Sequence, residues 1–177
     1  MDRLLHRKKG FTLVELLVVI SVIALLMGIM LPAMSKVRAS ARRMVCTSNL
    51  NQIGMGMISY LEDNGYVMPP AAMMPSVNID LKPITYYVLP HLEEPEIFKC
   101  PADPDGKFYK EETTSYEYNM MLGGQRVKDS FFSNRLDIDD RNIHVLCDFE
   151  PFHGEPGEPG AKNYLYADGH VGDLEVQ

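Results

Sequence analysis

Lys8-Lys9-Gly10-Phe11-Thr12-Leu13-Val14-Glu15-Leu16-Leu17-Val18-Val19-Ile20 sets two bases and a glycine directly against an apolar run. That run continues to Leu31, broken only by Thr12, Glu15, Ser21 and Gly28. As a helix, residues 11–31 reach about 31 Å at 1.5 Å per residue, roughly the hydrocarbon thickness of a bilayer. No second run of this kind exists in the 177 residues, so one membrane span is expected. The cluster Arg7, Lys8 and Lys9 favours a cytoplasmic start, because basic flanks stay inside. A secretory signal places its small-residue cleavage site after the apolar core. Here the order is reversed, and Leu31-Pro32-Ala33-Met34-Ser35 runs on into a basic helical stretch. Glu15 puts a carboxylate into an apolar helix, which is costly in lipid unless a partner meets it. Gly28 and Pro32 mark a place to kink or melt, since glycine weakens a helix and proline removes one of its bonds.

Working outward, the bases are concentrated early. Eight of the 17 Lys and Arg residues, with only Asp2 and Glu15 among the acids, lie in residues 1–43, leaving nine bases against 22 acids from Met44 onward. An acidic head excludes nucleic acid as a partner, because a phosphate backbone demands Lys and Arg. Helical periodicity continues to about Leu61. One apolar stripe is Met34, Val37, Ala41, Met44 and Val45; a second, on another face, is Cys46, Leu50, Ile53, Met57 and Tyr60. The first suits packing beside the membrane or on other subunits, and the second suits packing under the chain's own head. Gly54 and Gly56 permit close approach. Glu62-Asp63-Asn64-Gly65 is a stop signal.

Beyond it, residues 84–92 read as a short helix or strand, and residues 97–100 as a strand entering the turn-rich Pro101-Ala102-Asp103-Pro104-Asp105-Gly106. Residues 115–119 and 142–149 read as strands, and residues 163–167 and 170–176 as a hairpin about a two-residue Asp168-Gly169 turn. The sum is an α+β chain with a long N-terminal helix on a small antiparallel sheet. Its expected parts are a leader at 1–10, a transmembrane helix at 11–32, an amphipathic continuation at 33–62 and an acidic, loop-rich head at 63–177.

The residues Lys8-Lys9-Gly10 followed by Phe11-Thr12-Leu13-Val14-Glu15 resemble the signal of type IV pilins and type II secretion pseudopilins. That resemblance implies cleavage between Gly10 and Phe11 by a prepilin peptidase, N-methylation of Phe11, and a structural role in a filament. Glu15 would then meet the free amine at Phe11 of a neighbouring subunit. The implied partners are copies of the chain, other pilin-like subunits, the membrane and an inner-membrane assembly platform. The head would be periplasmic. A second resemblance covers most of the chain. Residues 42–54, Cys100-Pro101-Ala102-Asp103, Ser115-Tyr116-Glu117-Tyr118-Asn119 and a late His before Asp-Gly match a large bacterial group of pilin-like proteins. In that group about nine residues separate the His from Asp-Gly. Here His153 stands further from Asp168, and residues 154–160 read as an insertion.

Outside the membrane, cysteines meet an oxidising compartment where disulfides persist. Cys46 and Cys100 are the favoured pair and Cys147 reads as a buried hydrophobe, although sequence does not fix pairing. No cofactor is called for. Calcium is a candidate at Asp103 and Asp105, or at Asp168 and Asp173, as in some pseudopilins, against plain turns. His144, Asp148, His153 and His170 match no standard zinc spacing. The leading function is a pseudopilin supporting protein secretion, with a minor pilin as its close variant. The rival is a membrane-anchored extracytoplasmic metal-binding or enzymatic domain, for which no nucleophile or phosphate-loop motif speaks.

Overall fold

A computed structural model describes residues 12–173. The expectations for Gly10, Phe11 and Val176 lie outside them. The chain forms two compact units, up to Arg38 and from Ala39 onward. Helix α1, Leu13–Asp63, contributes to both and contains Pro32. The bond that Pro32 cannot donate is the one the Gly28 carbonyl would have accepted.

The second unit begins where the buried stripe begins. Cys46, Leu50, Ile53 and Met57 are buried, spaced four, three and four residues apart. They pack with Ile84 and Val88 of α2 (Ile84–Val88), with Phe98, and with the sheet residues Tyr116, Tyr118, Leu146 and Leu165. The other stripe is uncovered: Met34, Val37, Met44 and Val45 are exposed. The two glycines sit at contacts. A Cβ on Gly56 would lie 2.6 Å from Cγ of Leu92, and one on Gly54 would lie 3.0 Å from Cδ1 of Leu165.

The sheet is antiparallel in the order β1 (Tyr116–Tyr118), β2 (His144–Asp148), β3 (Tyr164–Tyr166) and β4 (Val171–Gly172). Tyr116 faces Asp148 across β1 and β2, and a bulge between His144 and Leu146 shifts the β2–β3 register. The α+β architecture and the three strand regions expected at 115–119, 142–149 and 163–167 are present. Residues 84–92 resolve as α2 followed by a 3-10 turn, Leu89–His91.

Two local expectations are corrected. Residues 97–100 are not a strand: Pro95 opens a 3-10 turn, Pro95–Phe98, whose end buries Ile97 and Phe98. Proline presets the turn's φ and lacks a ladder donor, which outweighs the apolar run after it. The last hairpin turns over Ala167-Asp168-Gly169 rather than two residues. Tyr166 N–H donates to the His170 carbonyl, Gly169 N–H donates to the Tyr166 carbonyl, and Gly169 has φ +91°. Glycine in that conformation closes a three-residue loop. Two short helices, α3 (Lys107–Glu112) and α4 (Phe131–Leu136), lie in stretches with no expected element.

Candidate functional site

In the first unit the notable surface is apolar. Every large hydrophobic side chain from Leu13 to Leu31 is exposed, and this is the described helix long and apolar enough to cross a membrane. In this unit its hydroxyls bond within the helix. Ser21 Oγ donates to the Val18 carbonyl at 2.8 Å, so its hydroxyl needs no water. Glu15 is held by the helix start. Its Oε2 accepts from Thr12 N–H at 2.8 Å and from Thr12 Oγ1 at 2.7 Å, while Glu15 N–H donates to Thr12 Oγ1 at 3.2 Å. This is a reciprocal capping box, Thr-x-x-Glu, which satisfies donors that a helix N-terminus leaves free. The spacing is present in the sequence, where the apolar context points instead to a partner on another subunit.

In the second unit several acidic residues of the loops make structural contacts. Asp103 is buried, and its carboxylate accepts from Ser115 Oγ at 2.7 Å, Tyr109 N–H at 3.1 Å and Phe108 N–H at 3.4 Å. It therefore folds the Pro-Ala-Asp loop onto α3 and β1. Asp168 accepts from His170 N–H at 3.0 Å, and Asp173 pairs with Arg43. Among the described residues, no group of three or more close His, Cys, Asp or Glu side chains includes Asp103, Asp105, Asp168 or Asp173. Turn geometry, which aspartate serves through a bond to the backbone two residues on, accounts for Asp168. Arg43 also donates from Nε to Oδ1 of Asn163 at 3.2 Å, so this base of the second cluster is committed to the head.

Beneath these loops lies a sealed polar group. Cys46 and Cys100 are joined as a disulfide with Cα atoms 5.1 Å apart. Nε2 of His153 lies 3.6 Å from Sγ of Cys100 and 3.4 Å from Oδ2 of Asp148. Asn163 donates to the same Oδ2 from its backbone N–H at 2.7 Å and from Nδ2 at 3.0 Å. The insertion does not displace His153. Its backbone N–H donates to the Ala161 carbonyl at 3.0 Å, which pinches residues 154–160 into a side loop. His144 and His170 lie elsewhere, against the rings of Tyr164 and Tyr166. Burial raises the Tyr116 hydroxyl far above its usual range, with the Asp148 charge adding to it. Cys147, the free thiol, is pushed up to about 12, first by burial and then by Glu117. That keeps it protonated and unreactive.

Comparison with known proteins places two family descriptions along the chain. Residues 5–31 match the prokaryotic N-terminal methylation motif, and residues 35–99 match a protein family of unknown function, DUF1559. The chain is similar to the type IV wide pilus major component PilA4 of Thermus thermophilus, with 35% identity over 71 residues. That stretch is 40% of this chain and 54% of the relative, so the chain spans about half the length of the curated relative it matches. No solved structure is a significant match.

Proposed function

We propose, from the premise that this is a type IV pilin-like protein, that it is a structural subunit of a filament built through its N-terminal helix. The observation that carries this reading is the uncovered apolar helix with Glu15 fixed at its start. A prepilin peptidase cuts between Gly10 and Phe11, and Phe11 is methylated. The chain waits in the bacterial inner membrane through residues 11–32, leader in the cytoplasm and head outside, until the assembly platform lifts it into the filament. Residues 33–62 join the span to the acidic head at 63–177. The role is structural rather than catalytic.

In lipid the helix faces apolar chains on all sides; in the filament the same side chains meet copies of themselves. Hydrophobicity does not discriminate between these states, so a specific polar contact must. Glu15 supplies it by pairing with the Phe11 amine of a neighbour. Its cap on Thr12 leaves the second oxygen for that contact and holds the carboxylate in one orientation. Gly28 and Pro32 weaken the helix where the subunit must adapt on leaving the bilayer.

The filament is proposed to work in protein secretion. The similarity to a wide-pilus component favours a second reading, a surface pilus. Deleting the gene separates them, since one predicts loss of exported proteins and the other loss of surface fibres with export intact. The test of the assembly claim uses two variants. Glu15→Gln keeps the cap, because glutamine serves in a capping box, but removes the charge. Glu15→Ala removes both. Processing is expected to be normal in both, with sheared filaments reduced at least about tenfold in each, as a lost partly buried ion pair would give. Wild-type filament yield from Glu15→Gln would overturn the pairing role.

A further inference from the structure

Where α1, the Pro-Ala-Asp loop and the β2–β3 connection meet, the head holds four donor side chains that the filament reading does not use. Sγ of Cys46, Sγ of Cys100 and Nε2 of His153 lie within 4.8 Å of one another. Asp148 stands against the imidazole, 3.4 Å from Nε2, and the side chains of His153 and Asp148 are 1% and 0% exposed. Oδ1 of Asp148 is buried with no hydrogen-bond partner. A structural disulfide requires neither His153 nor Asp148. Burying a carboxylate with an orphaned oxygen beside an imidazole costs free energy that apolar neighbours would not.

We propose that Cys46, Cys100, His153 and Asp148 form a site for a zinc-class divalent cation when the two cysteines are dithiols. Metal bonds of ~2.3 Å to sulfur, ~2.05 Å to nitrogen and ~2.1 Å to oxygen define the edges of a tetrahedron. Its N–S edge is about 3.6 Å and its N–O edge about 3.4 Å. The separations of His153 Nε2 from Cys100 Sγ and Asp148 Oδ2, 3.6 Å and 3.4 Å, have these values. Asp148 lies against His153 but outside the group that His153 forms with both sulfurs, which are held together by their own bond; breaking that bond frees them to move toward the carboxylate. Thiolate and imidazole donors select zinc, cadmium or cobalt over calcium and magnesium.

The exchange balances. A dithiol reductant transfers two electrons and two protons to the bridge and becomes a disulfide itself. The bond between the sulfurs breaks, and Cys46 and Cys100 become thiols. The cation then binds both sulfurs as thiolates and releases their two protons to solvent. The two thiolates balance the cation's charge, Asp148 adds one further negative charge, and His153 binds as neutral imidazole. One buried set of side chains thus crosslinks the head covalently when oxidised and through a metal when reduced.

This site is independent of the filament reading and is tested separately. The full chain carrying Cys147→Ser is purified in detergent, reduced with a phosphine, freed of reductant without oxygen, and titrated with Co²⁺. Saturable uptake of about one ion per chain is expected, with the charge-transfer absorption of cobalt thiolate, displaced by Zn²⁺. His153→Gln and Asp148→Asn should each weaken uptake by roughly 10- to 100-fold. Both variants must form the Cys46–Cys100 bridge on reoxidation, which mass analysis of disulfide-linked peptides reads as evidence of folding. The unreduced chain should show no thiolate band. No saturable band in the reduced chain overturns the proposal. So does wild-type affinity in His153→Gln, or equal uptake by the oxidised chain.

Discussion

Asp103 and Glu15 show how one carboxylate can be read two ways. In the sequence, Asp103 beside Asp105 and Gly106 reads as a plain turn, with a calcium ligand as the alternative. In the fold, the Asp103 carboxylate is consumed by Ser115 Oγ and the backbone of Phe108 and Tyr109. Removing it orphans donors that are themselves buried, a larger effect than the loss of the bonds alone. Asp103→Ala is expected to destabilise the head by about 3 kcal/mol, and Asp103→Asn by less, since one acceptor remains. Thermal unfolding of the purified chain measures both, and added Ca²⁺ should not shift the wild-type midpoint. Glu15 differs, since its local partner was legible as Thr12-x-x-Glu15 without any tertiary information. Its proposed partner on another subunit is a property of the assembly.

At the scale of elements, helix α1 was legible almost completely. Its buried stripe repeats at helical spacing, and Asn64-Gly65 ends it. The short elements were less so. Residues 97–100 look strand-like in isolation, but Pro95 sets a 3-10 turn that delivers Phe98 into the core and leaves Cys100 facing Cys46. Gly56 illustrates the same competition. Alanine would be favoured over glycine in a helix interior by about 1 kcal/mol, but a Cβ there would meet the Leu92 side chain. Overpacking of this kind costs roughly 1–3 kcal/mol, so Gly56→Ala should be neutral to destabilising, by up to about 2 kcal/mol. A Gly56→Ala chain more stable than wild type on denaturant unfolding would show that α1 and the turn after α2 are not in close contact.

For the molecule as a whole, the bridge between Cys46 and Cys100 ties α1 to a loop 54 residues later. Closing a loop of that length restricts the unfolded chain by about 4 kcal/mol in the chain-entropy model. Replacing both cysteines by alanine should lower the stability of the head by roughly that amount while leaving the membrane span unaffected. Denaturant unfolding followed by tyrosine fluorescence checks it, and an unchanged midpoint would mean the folded head gains nothing from the link. The sequence by itself determined the apolar helix, its leader-like flank, the face that a head must cover, and the small antiparallel sheet of that loop-rich head. Each of these rests on local spacing and on transfer of side chains out of water, which act residue by residue. Only the tertiary structure decided that His153 and Asp148 converge on the disulfide, that residues 154–160 are pinched off as a side loop, and that Asp103 and Arg43 are committed to contacts inside the head. Those outcomes depend on which distant groups the chain brings together, and burial then presses the polar atoms among them to find partners.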